Sequence, residues 1–512
     1  MVAGRVLVIA GSDSSGGAGL EADQKVLAAH GVYAMTATTA LTAQNTKGVY
    51  GIHLVPPEFL RKQIDAVVED VGVDVVKTGM LASTETIEAI ADALVQHKLS
   101  AVVIDPVMVA TTGARLLAPE ALDMLRTRLL PLATVATPNV PEAQLLLGRD
   151  DGVQAVRTAA DLETLARDIH QRFGPRWVLV KGGHCPFRRD GTAALADDEK
   201  ELVVDVLVGG EGQEVVVRIE TEYFDTRNTH GTGCSLASAI AANLAKGMDV
   251  PAAVRTGCRY VQAGIKTAPG LGGGNGPLNH FHSVYSMPFA PGRFIEYLLG
   301  RPDVAPVWDR YVNHPFVLAM GDGTLPLESF KGYLIQDYLY LIHFARANAL
   351  ASYKAGSMKD VAASASIVTH VFREMELHIS YCSGFGISRE EMEKTEENKA
   401  CTAYTRYVLD IGNSQDWLGL QMSMAPCLLG YGAIAKKLHA DPRSKREGNT
   451  YWTWIENYVG ADYVEAVKAG SELLERHAVR QSPSRIEDLV KIFIHATKME
   501  IAFWEMYPSS SS

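Results

Sequence analysis

An α/β layered domain followed by an all-α domain is predicted from three features of this sequence. The chain has 512 residues, more than the roughly 100–200 residues of a typical domain. Up to about residue 280, short β-branched runs alternate with helical stretches, which is typical of a largely parallel sheet with helices on both faces. Beyond that point we find no convincing strand, and long amphipathic segments indicate a helical bundle. We therefore predict domains at residues 1–284 and 285–512.

The predicted strands of the first domain are four to six residues long, and several are apolar throughout. They cover Arg5–Ala10, Val73–Lys77, Ala101–Ile104, Thr134–Thr137 and Trp177–Val180. Helices are predicted between them, over Glu58–Val71, Thr84–His97 and Asp161–Phe173. Two further runs, Leu202–Val208 and Glu214–Glu220, are separated by Gly209–Gly212 and predict a hairpin at the sheet edge.

The second domain is predicted to follow a linker at Pro288–Gly292, where two prolines and a glycine interrupt regular structure. Its longest helices are predicted over Phe330–Lys354, Asp360–Cys382, Glu391–Asp410, Trp417–Ala440 and Ile486–Tyr507. The last segment carries apolar residues close to helical spacing.

Composition argues against several classes of partner and site. The formal net charge is −11, so neither nucleic acid nor an anionic membrane is expected as the main partner. No apolar run reaches the roughly 18 residues of a membrane span. The six cysteines form no C-x-x-C pair, so neither a zinc ribbon nor a disulfide framework is expected. The apolar start runs into a glycine-rich loop and predicts a strand rather than a signal peptide, and we expect a cytoplasmic protein.

The first loop with residues suited to ligand binding is Gly11–Gly19, directly after the first strand. Its glycines let backbone N–H groups approach a ligand closely. Many α/β folds have such a turn, so a tight structural turn is an equally good interpretation of this loop alone.

The second loop is Thr229–Cys234, which leads into the apolar segment Ser235–Ala245. It places a helix N-terminus behind small residues, where unpaired N–H groups and the helix dipole stabilise phosphoryl charge. The same field is expected to lower the pKa of Cys234, so that its thiol acts as a base or polarising group. The alternative is a buried cysteine that packs the helix start.

The third loop is Thr137–Glu142, just past a predicted strand end, where α/β proteins bind ligands. Asn139 and Glu142 carry the oxygen ligands that a hydrated magnesium ion prefers. Asp105 ends a neighbouring strand in the same way. We expect Asp105 and Glu142 to be the metal ligands.

Eight short sequence motifs cover most of the first domain. They are AGSDSSGGAGLEAD, TALTAQNTKGV, VKTGML, VIDPVMVATTG, TPNVPEA, VLVKGGH, NTHGTGCSLASAIAA and GGGNGPLNH, and they span nearly all of residues 4–280. They resemble the hydroxymethylpyrimidine/phosphomethylpyrimidine kinase family of the ribokinase-like superfamily. Most ribokinase-like enzymes carry Asp where Cys234 stands, and a pyridoxal kinase would be expected to do so, whereas this branch carries Cys.

The resemblance implies two ATP-dependent phosphorylations at one site, of 4-amino-5-hydroxymethyl-2-methylpyrimidine and then of its monophosphate. It implies that the pyrimidine contacts Asp23, Gln44, Met80 and Val107. It implies that Mg-ATP faces Asn139, Glu142, Lys181, Gly231, Thr232 and Gly233. Cys234 is implied to be catalytic, near the reacting hydroxyl.

The helical half contains four groups of candidate site residues. They are Asp337 with Tyr338 and Tyr340, Tyr404 with Tyr407, Cys427 with Tyr431, and Glu500 with Phe503. The last two pairs are four and three residues apart, so each shares a helix face. For each acid alone, partial exposure is the favoured interpretation, and for each tyrosine alone it is core packing.

Five strings of this half, LIQDYLYL, AYTRYVL, APCLLGYG, YWTWI and MEIAFWEM, together resemble the TenA/thiaminase II family. The resemblance implies that Cys427 attacks the pyrimidine ring of thiamin or an aminopyrimidine breakdown product, and that water then releases hydroxymethylpyrimidine. Asp337 would bind the ring nitrogen and amine, and Glu500 would orient groups or transfer protons. The implied aromatic slot is Tyr340, Tyr404, Tyr431, Tyr451 and Phe503.

Two alternatives stay open for the helical half. One is a non-catalytic oligomerisation or regulatory module. The other is a metal or haem site at His343, His370 and His378, which we consider far less favoured. The expected partners of the whole chain are small-molecule substrates, and related single-domain proteins imply self-association.

Overall fold

The computed structural model describes residues 3–108, 117, 120–149 and 156–510, without the side chains of Arg373, Glu374, Leu377 and His378. Part of the predicted string VIDPVMVATTG, residues 109–113, lies outside this range. The chain divides into two compact units, Met1–Val284 and Tyr285–Ser512.

The first unit is built on ten strands. They are β1 Arg5–Ala10, β2 Tyr33–Thr38, β3 Ala40–Asn45, β4 Gly48–Leu54, β5 Val75–Thr78, β6 Val102–Ile104, β7 Val135–Ala136, β8 Trp177–Val180, β9 Leu202–Gly209 and β10 Val215–Glu222. Eight of them form one sheet in the order β10-β9-β8-β7-β6-β5-β1-β2, and β3 and β4 form a separate hairpin. Strands β1, β2 and β5 to β8 pair in parallel, whereas β9 and β10 run antiparallel at the edge.

Helices cover the sheet because its strands are apolar on both faces. In β1, five of six residues are buried, and residues of alternate parity belong to two different hydrophobic cores. The helices are α1 Gly19–Ala29, α2 Pro57–Asp70, α3 Thr84–Gln96, α4 Ala121–Met124, α5 Val140–Leu147, α6 Ala159–Phe173, α7 Thr232–Ala245 and α8 Val250–Lys266, with a π-helical turn at Leu125–Leu129 and 3-10 turns at Leu130–Leu132 and Asp197–Glu199.

Strand β1 is where the strand order reverses, since its neighbours are β2 on one side and β5 on the other. A crevice forms at such a point, outside the carboxyl ends of the strands, and it is the usual ligand site of α/β folds. The loops after β1, β5, β6, β7 and β8 therefore meet at one edge of the sheet.

The second unit is helical throughout its described residues. Its helices are α9 Phe294–Gly300, α10 Ala305–Val312, α11 Pro315–Asp322, α12 Leu327–Lys354, α13 Met358–Ser383, α14 Arg389–Lys394, α15 Lys399–Ser414, α16 Trp417–Ala440, α17 Trp452–Val459, α18 Ala461–Ala478 and α19 Pro483–Trp504. Helix α16 is long and apolar enough to cross a membrane, but 72% of its most apolar stretch is buried within the protein. Burial in the bundle core accounts for this composition.

The predicted fold class is confirmed, and several element boundaries are corrected. The sequence prediction missed β2, the β3–β4 hairpin and the shorter helices of the second unit. It also merged α14 and α15 into one helix over Glu391–Asp410. Helix α14 ends at its C-cap, Thr395, and α15 begins after its N-cap, Asn398. The Asn398 side chain accepts a hydrogen bond from the Ala400 N–H.

Candidate active sites

A cavity of about 690 Å³ opens at the carboxyl edge of the sheet in the first unit. The predicted site residues that line it are Gln44, Met80, Val107, Asp105, Asn139, Glu142, Lys181, Gly231, Thr232, Gly233 and Cys234. They come from the loops that follow four parallel strands, from the β3–β4 hairpin and from the start of α7. The topology, rather than nearness in sequence, brings them together.

Gln44 presents an amide to the cavity, which Met80 and Val107 also line. Gln44 lies on β3, where Thr42 donates a hydrogen bond to its Oε1 at 3.3 Å and its Nε2 lies 3.5 Å from His230 Nε2. Met80 and Val107 follow β5 and β6 and line the same cavity. This arrangement offers a flat heterocycle both a polar edge and an apolar face.

Asp23 does not reach this cavity, which corrects its predicted role as a substrate contact. Its side chain is fully buried on α1, where it accepts hydrogen bonds from Lys77 Nζ at 3.0 and 2.8 Å and from Ser238 Oγ at 2.7 Å. Although burial alone disfavours the ammonium, the Asp23 carboxylate raises the pKa of Lys77 above its ordinary value. A buried carboxylate needs such a cation, so Asp23 forms a buried ion pair with Lys77 in the core.

The N-terminus of α7 lines the same cavity. Gly231 is its N-cap in a left-handed conformation, with φ of 77°. A Cβ on this residue would lie 1.8 Å from the Gly17 carbonyl oxygen, so only glycine lets the two glycine-rich loops meet. The Thr232 N–H donates to the Thr229 carbonyl at 3.3 Å, and the N–H groups of Gly233 and Cys234 follow it in the first helical turn, which suits a bound anion.

Cys234 lies in the first turn of α7 and lines the cavity. Burial raises the pKa of its thiol to about 11, although the nearby Lys77 ammonium opposes the shift. We expected the helix field to lower this pKa, and that expectation was wrong because loss of hydration outweighs it. The thiol is therefore protonated at neutral pH.

Asp105 and Glu142 are buried together beside Lys181, whose Nζ donates to Asp105 Oδ1 at 2.8 Å. Burial, with the Asp105 charge, raises the pKa of Glu142 to about 7, while Lys181 opposes the shift. Glu142 also closes a capping box on α5, in which it and Asn139 each accept the other's backbone N–H. Two carboxylates that repel each other are oxygen ligands of the kind magnesium prefers, so the residues fit a divalent cation.

Two residues that line this cavity, Asp13 and His230, were not predicted as site residues. His230 Nε2 lies 2.8 Å from Asp13 Oδ2, and both side chains are buried. Burial opposes ionisation of Asp13, but hydrogen bonds from His230 and Ser15 outweigh it and hold the pKa of its carboxyl below the ordinary value. The only sequence signal was their position inside the first and second loops.

In the second unit, Asp337 on α12 and Glu500 on α19 are both buried, with 5% and 1% of their surface exposed. Burial raises the pKa of Asp337 to about 7, with Tyr333 opposing the shift. Burial raises the pKa of Glu500 to about 8, while hydrogen bonds from Tyr404 and Tyr311 oppose this and the Asp337 charge adds to it. The partly exposed acids favoured from sequence are therefore not found.

Aromatic side chains surround these acids. Tyr404 donates a hydrogen bond to Glu500 Oε1 at 2.8 Å, and its ring lies 5.0 Å from that of Tyr340. The Tyr340 ring also lies 5.8 Å from Phe503. Tyr340 is close enough to Cys427 for the thiol to affect its pKa, which burial raises well above the ordinary value.

Tyr333, which the sequence analysis passed over, connects the remaining residues. It lies beside Asp337, Tyr431 and Cys427, and its ring is 6.1 Å from Phe503. The structure thus brings Asp337, Cys427 and Glu500 into one cluster with four of the five predicted slot residues.

Tyr451 is the predicted slot residue that the structure places elsewhere. Its hydroxyl donates to the Leu325 carbonyl, and its ring packs against Phe330 at 4.6 Å. Both partners belong to the hydrophobic core of the bundle. The position of Tyr451 is therefore explained by core packing.

The histidines considered for a metal do not support one. His343 Nε2 bonds Glu397 Oε1 at 2.8 Å, and the side chain of His378 lies outside the described part. Among the residues that the structure describes, no group of three or more His, Cys, Asp or Glu side chains is placed to hold a metal ion.

Comparison with known proteins agrees with the two-part architecture. The family model for phosphomethylpyrimidine kinase matches residues 13–279, and that of the TENA/THI-4/PQQC family matches residues 301–509. A Schizosaccharomyces pombe protein assigned as hydroxymethylpyrimidine/phosphomethylpyrimidine kinase 2 is 43% identical over 98% of this chain and 90% of its own. The chain belongs to the phosphomethylpyrimidine kinase family. The family predicted from the sequence motifs is thereby confirmed.

Other members of the phosphomethylpyrimidine kinase family share the whole domain order. The Saccharomyces cerevisiae hydroxymethylpyrimidine/phosphomethylpyrimidine kinase THI20 is 35% identical over 98% of this chain and 94% of its own. Among solved structures, an ADP complex of Bacillus subtilis pyridoxal kinase is 36% identical, covering 54% of this chain and 97% of that one, with a TM-score of 0.47.

Proposed function

We propose that the first unit transfers the terminal phosphoryl group of ATP to 4-amino-5-hydroxymethyl-2-methylpyrimidine, and then to the monophosphate so formed. The observation that supports this most is a cavity lined both by Gln44, Met80 and Val107 and by the N-terminus of α7. A heterocycle bound beside these three side chains points its hydroxymethyl group towards the anion site. Family membership supplies the substrate.

The residues around α7 stabilise the transferred group. The N–H groups of Gly233 and Cys234, in the first turn of α7, receive developing phosphoryl charge, and such preorganised donors contribute most of the catalysis in phosphoryl transfer. Since the Cys234 thiol is protonated, it donates a hydrogen bond to an oxygen of the reacting groups rather than removing a proton. Lys181 adds a positive charge beside Asp105.

Asp105 and Glu142 would hold the magnesium ion of Mg-ATP, which neutralises phosphate charge when it is bound. Asn139 contributes mainly by fixing Glu142 through the capping box. Lys181, which neutralises Asp105 in the structure described here, is then available to the nucleotide.

For the second unit we propose hydrolysis of thiamin or of an aminopyrimidine breakdown product to hydroxymethylpyrimidine. The Cys427 thiolate adds to a ring carbon of the pyrimidine, and the bond between the exocyclic methylene and the thiazolium nitrogen or amine breaks, so that the thiazole or amine departs. Water adds to that methylene and gives up a proton, and the sulfur then leaves the ring as the thiolate. Glu500, with a pKa of about 8, holds a proton at neutral pH and delivers it to the leaving group or ring. Asp337 binds the amino edge of the pyrimidine, and the surrounding tyrosines pack on the ring.

A hydrolysis assay on the full chain tests the second activity. Cys427→Ser should abolish release of hydroxymethylpyrimidine from thiamin and leave pyrimidine phosphorylation intact. Cys401→Ser is the matched control, because its thiol donates to the Gln336 carbonyl and serine keeps that bond. Hydrolysis that survives in Cys427→Ser would contradict the nucleophile, and no hydrolysis by the natural chain would leave a non-catalytic module.

ADP release with hydroxymethylpyrimidine and Mg-ATP tests the first activity. We expect turnover with the pyrimidine and with its monophosphate, and weak inhibition by excess pyridoxal. A preference for pyridoxal would contradict the assignment.

The proposal includes a cytoplasmic location and a self-associating chain. Cys185, Cys234, Cys258, Cys382 and Cys401 are free thiols in the structure, which supports a reducing compartment. Light scattering of the purified chain measures the oligomeric state, and a strict monomer would contradict self-association.

A further inference from the structure

The string GGGNG, Gly272–Gly276, has no role in the function proposed above, yet it makes specific contacts. It follows α8 and lies against the turn of the β3–β4 hairpin. The Asn275 N–H donates to the Thr46 carbonyl at 2.8 Å, and the Gly274 N–H donates to Thr46 Oγ1 at 3.2 Å. A single turn residue thus accepts two hydrogen bonds from this segment.

The two chain segments approach so closely that side chains are excluded. A Cβ at Gly274 would lie 2.1 Å from the Thr46 carbonyl oxygen, and one at Gly272 would lie 2.4 Å from Thr46 Oγ1. At Gly273 a Cβ would meet only the end of the Lys47 side chain, at 3.1 Å. Glycine is therefore needed on either side of Gly273 but not at Gly273 itself.

The far end of the same segment holds the loop that leads to α7. The His230 N–H donates to the Gly276 carbonyl at 3.1 Å, and a Cβ at Gly276 would lie 2.2 Å from Asn228 Oδ1. The segment thus connects the hairpin turn to the residues just before the G-T-G-C loop.

The hairpin is fixed at the base of β3, where the Ser12 N–H donates to the Ala40 carbonyl at 2.9 Å and Thr42 Oγ1 donates to the Ser12 carbonyl at 2.8 Å, and at its turn by the GGGNG segment. No residue of β4 is buried, and a two-stranded hairpin alone is marginally stable in water. It nevertheless carries Gln44, whose N–H donates to Ser14 Oγ at 2.9 Å. The orientation of Gln44 over the cavity therefore depends on a few contacts at the base and turn of the hairpin.

We propose that Thr46, Gly274 and Asn275 form a clasp, a set of positioning residues that hold the β3–β4 hairpin so that Gln44 faces the pyrimidine. This inference rests on the kinase function proposed for the first unit. It assigns the clasp to binding of the pyrimidine rather than of the nucleotide.

Three variants of the full chain test the clasp. Gly274→Ala should raise the KM for hydroxymethylpyrimidine about tenfold, and Thr46→Val about fivefold, as loss of one neutral hydrogen bond would give. In both, kcat and the KM for ATP should stay within about twofold, since neither change removes the hydrogen bond from the His230 N–H to the Gly276 carbonyl that holds the α7 loop. Gly273→Ala is the matched control and should behave as the natural chain. A fall in kcat with an unchanged pyrimidine KM would overturn the proposal.

Hydrogen exchange over residues 40–54 tests the clasp without any substrate. Exchange should be faster in Gly274→Ala and Thr46→Val than in Gly273→Ala. Equal exchange in the three variants would overturn the clasp even if the kinase is active. Faster exchange in a chain that phosphorylates no pyrimidine would support the clasp and refute the proposed function.

Discussion

Two variants, Gly231→Ala and Gly247→Ala, distinguish the effect of backbone strain from that of the contact between the glycine-rich loops. The two glycines lie at opposite ends of the same helix, α7. Gly231 precedes α7 with φ of 77°, and Gly247 follows it with φ of 85°. A Cβ at Gly247 meets nothing within 4 Å, whereas one at Gly231 would lie 1.8 Å from the Gly17 carbonyl oxygen. Both alanine variants therefore bear about 1–2 kcal/mol of left-handed strain, and only one bears the clash.

The clash sets the size of the expected effect. Relieving it requires the two glycine-rich loops to separate by more than about 1 Å, and a misplacement of about 1 Å costs roughly a hundredfold in rate. We therefore expect Gly231→Ala to lower kcat/KM for pyrimidine phosphorylation about a hundredfold, and Gly247→Ala to lower it less than about threefold.

A coupled assay of ADP release measures both variants, with thermal unfolding as the check on folding. Thiamin hydrolysis by the second unit should be unchanged in each. If Gly231→Ala keeps activity within about threefold of the natural chain, or if Gly247→Ala loses as much, the loop contact is not what organises the phosphate site.

Three further predictions follow from buried groups. Because burial raises the pKa of Asp337 to about 7 and of Glu500 to about 8, the folded chain holds protons that the unfolded chain releases. The unfolding free energy should therefore fall between about pH 5 and pH 7, by up to about 1.4 kcal/mol per pH unit for each group. Urea titrations should show a shallower fall in Glu500→Gln, and an unchanged slope would refute the assignment. Lys77→Met should cost about 3–5 kcal/mol by leaving Asp23 unpaired, and the double variant with Asp23→Leu should recover much of it; equal loss in both would contradict an ionised pair. Alkylation of Cys234 should rise about tenfold per pH unit from pH 8 to 10, as a thiol with a pKa of about 11 requires, and a plateau below pH 9 would contradict it.

The sequence predicted elements well where burial is complete. Strands β1 and β8 have the predicted bounds, since their residues are apolar and nearly all buried. Strands β3 and β4 were missed because β3 turns Ala40, Thr42 and Gln44 inward while Leu41 is exposed, and β4 buries no residue, so neither shows an alternation of apolar and polar residues.

Side-chain environments were harder to predict, because they depend on distant partners. Asp23 was assigned to the substrate, but Lys77, 54 residues away, commits it to the core. Glu500 is buried because Tyr404, 96 residues away, satisfies its carboxyl group. The sequence shows each of these residues, but only the folded topology determines which of them pair.

We propose that two sites in one chain act in turn on the same pyrimidine. Mass spectrometry of a reaction of the full chain with thiamin and Mg-ATP tests it most directly. We predict mono- and diphosphorylated hydroxymethylpyrimidine from the natural chain, and from Cys427→Ser only when free hydroxymethylpyrimidine is supplied. Phosphorylated pyrimidine formed from thiamin by Cys427→Ser, or none formed from thiamin by the natural chain, would contradict the account.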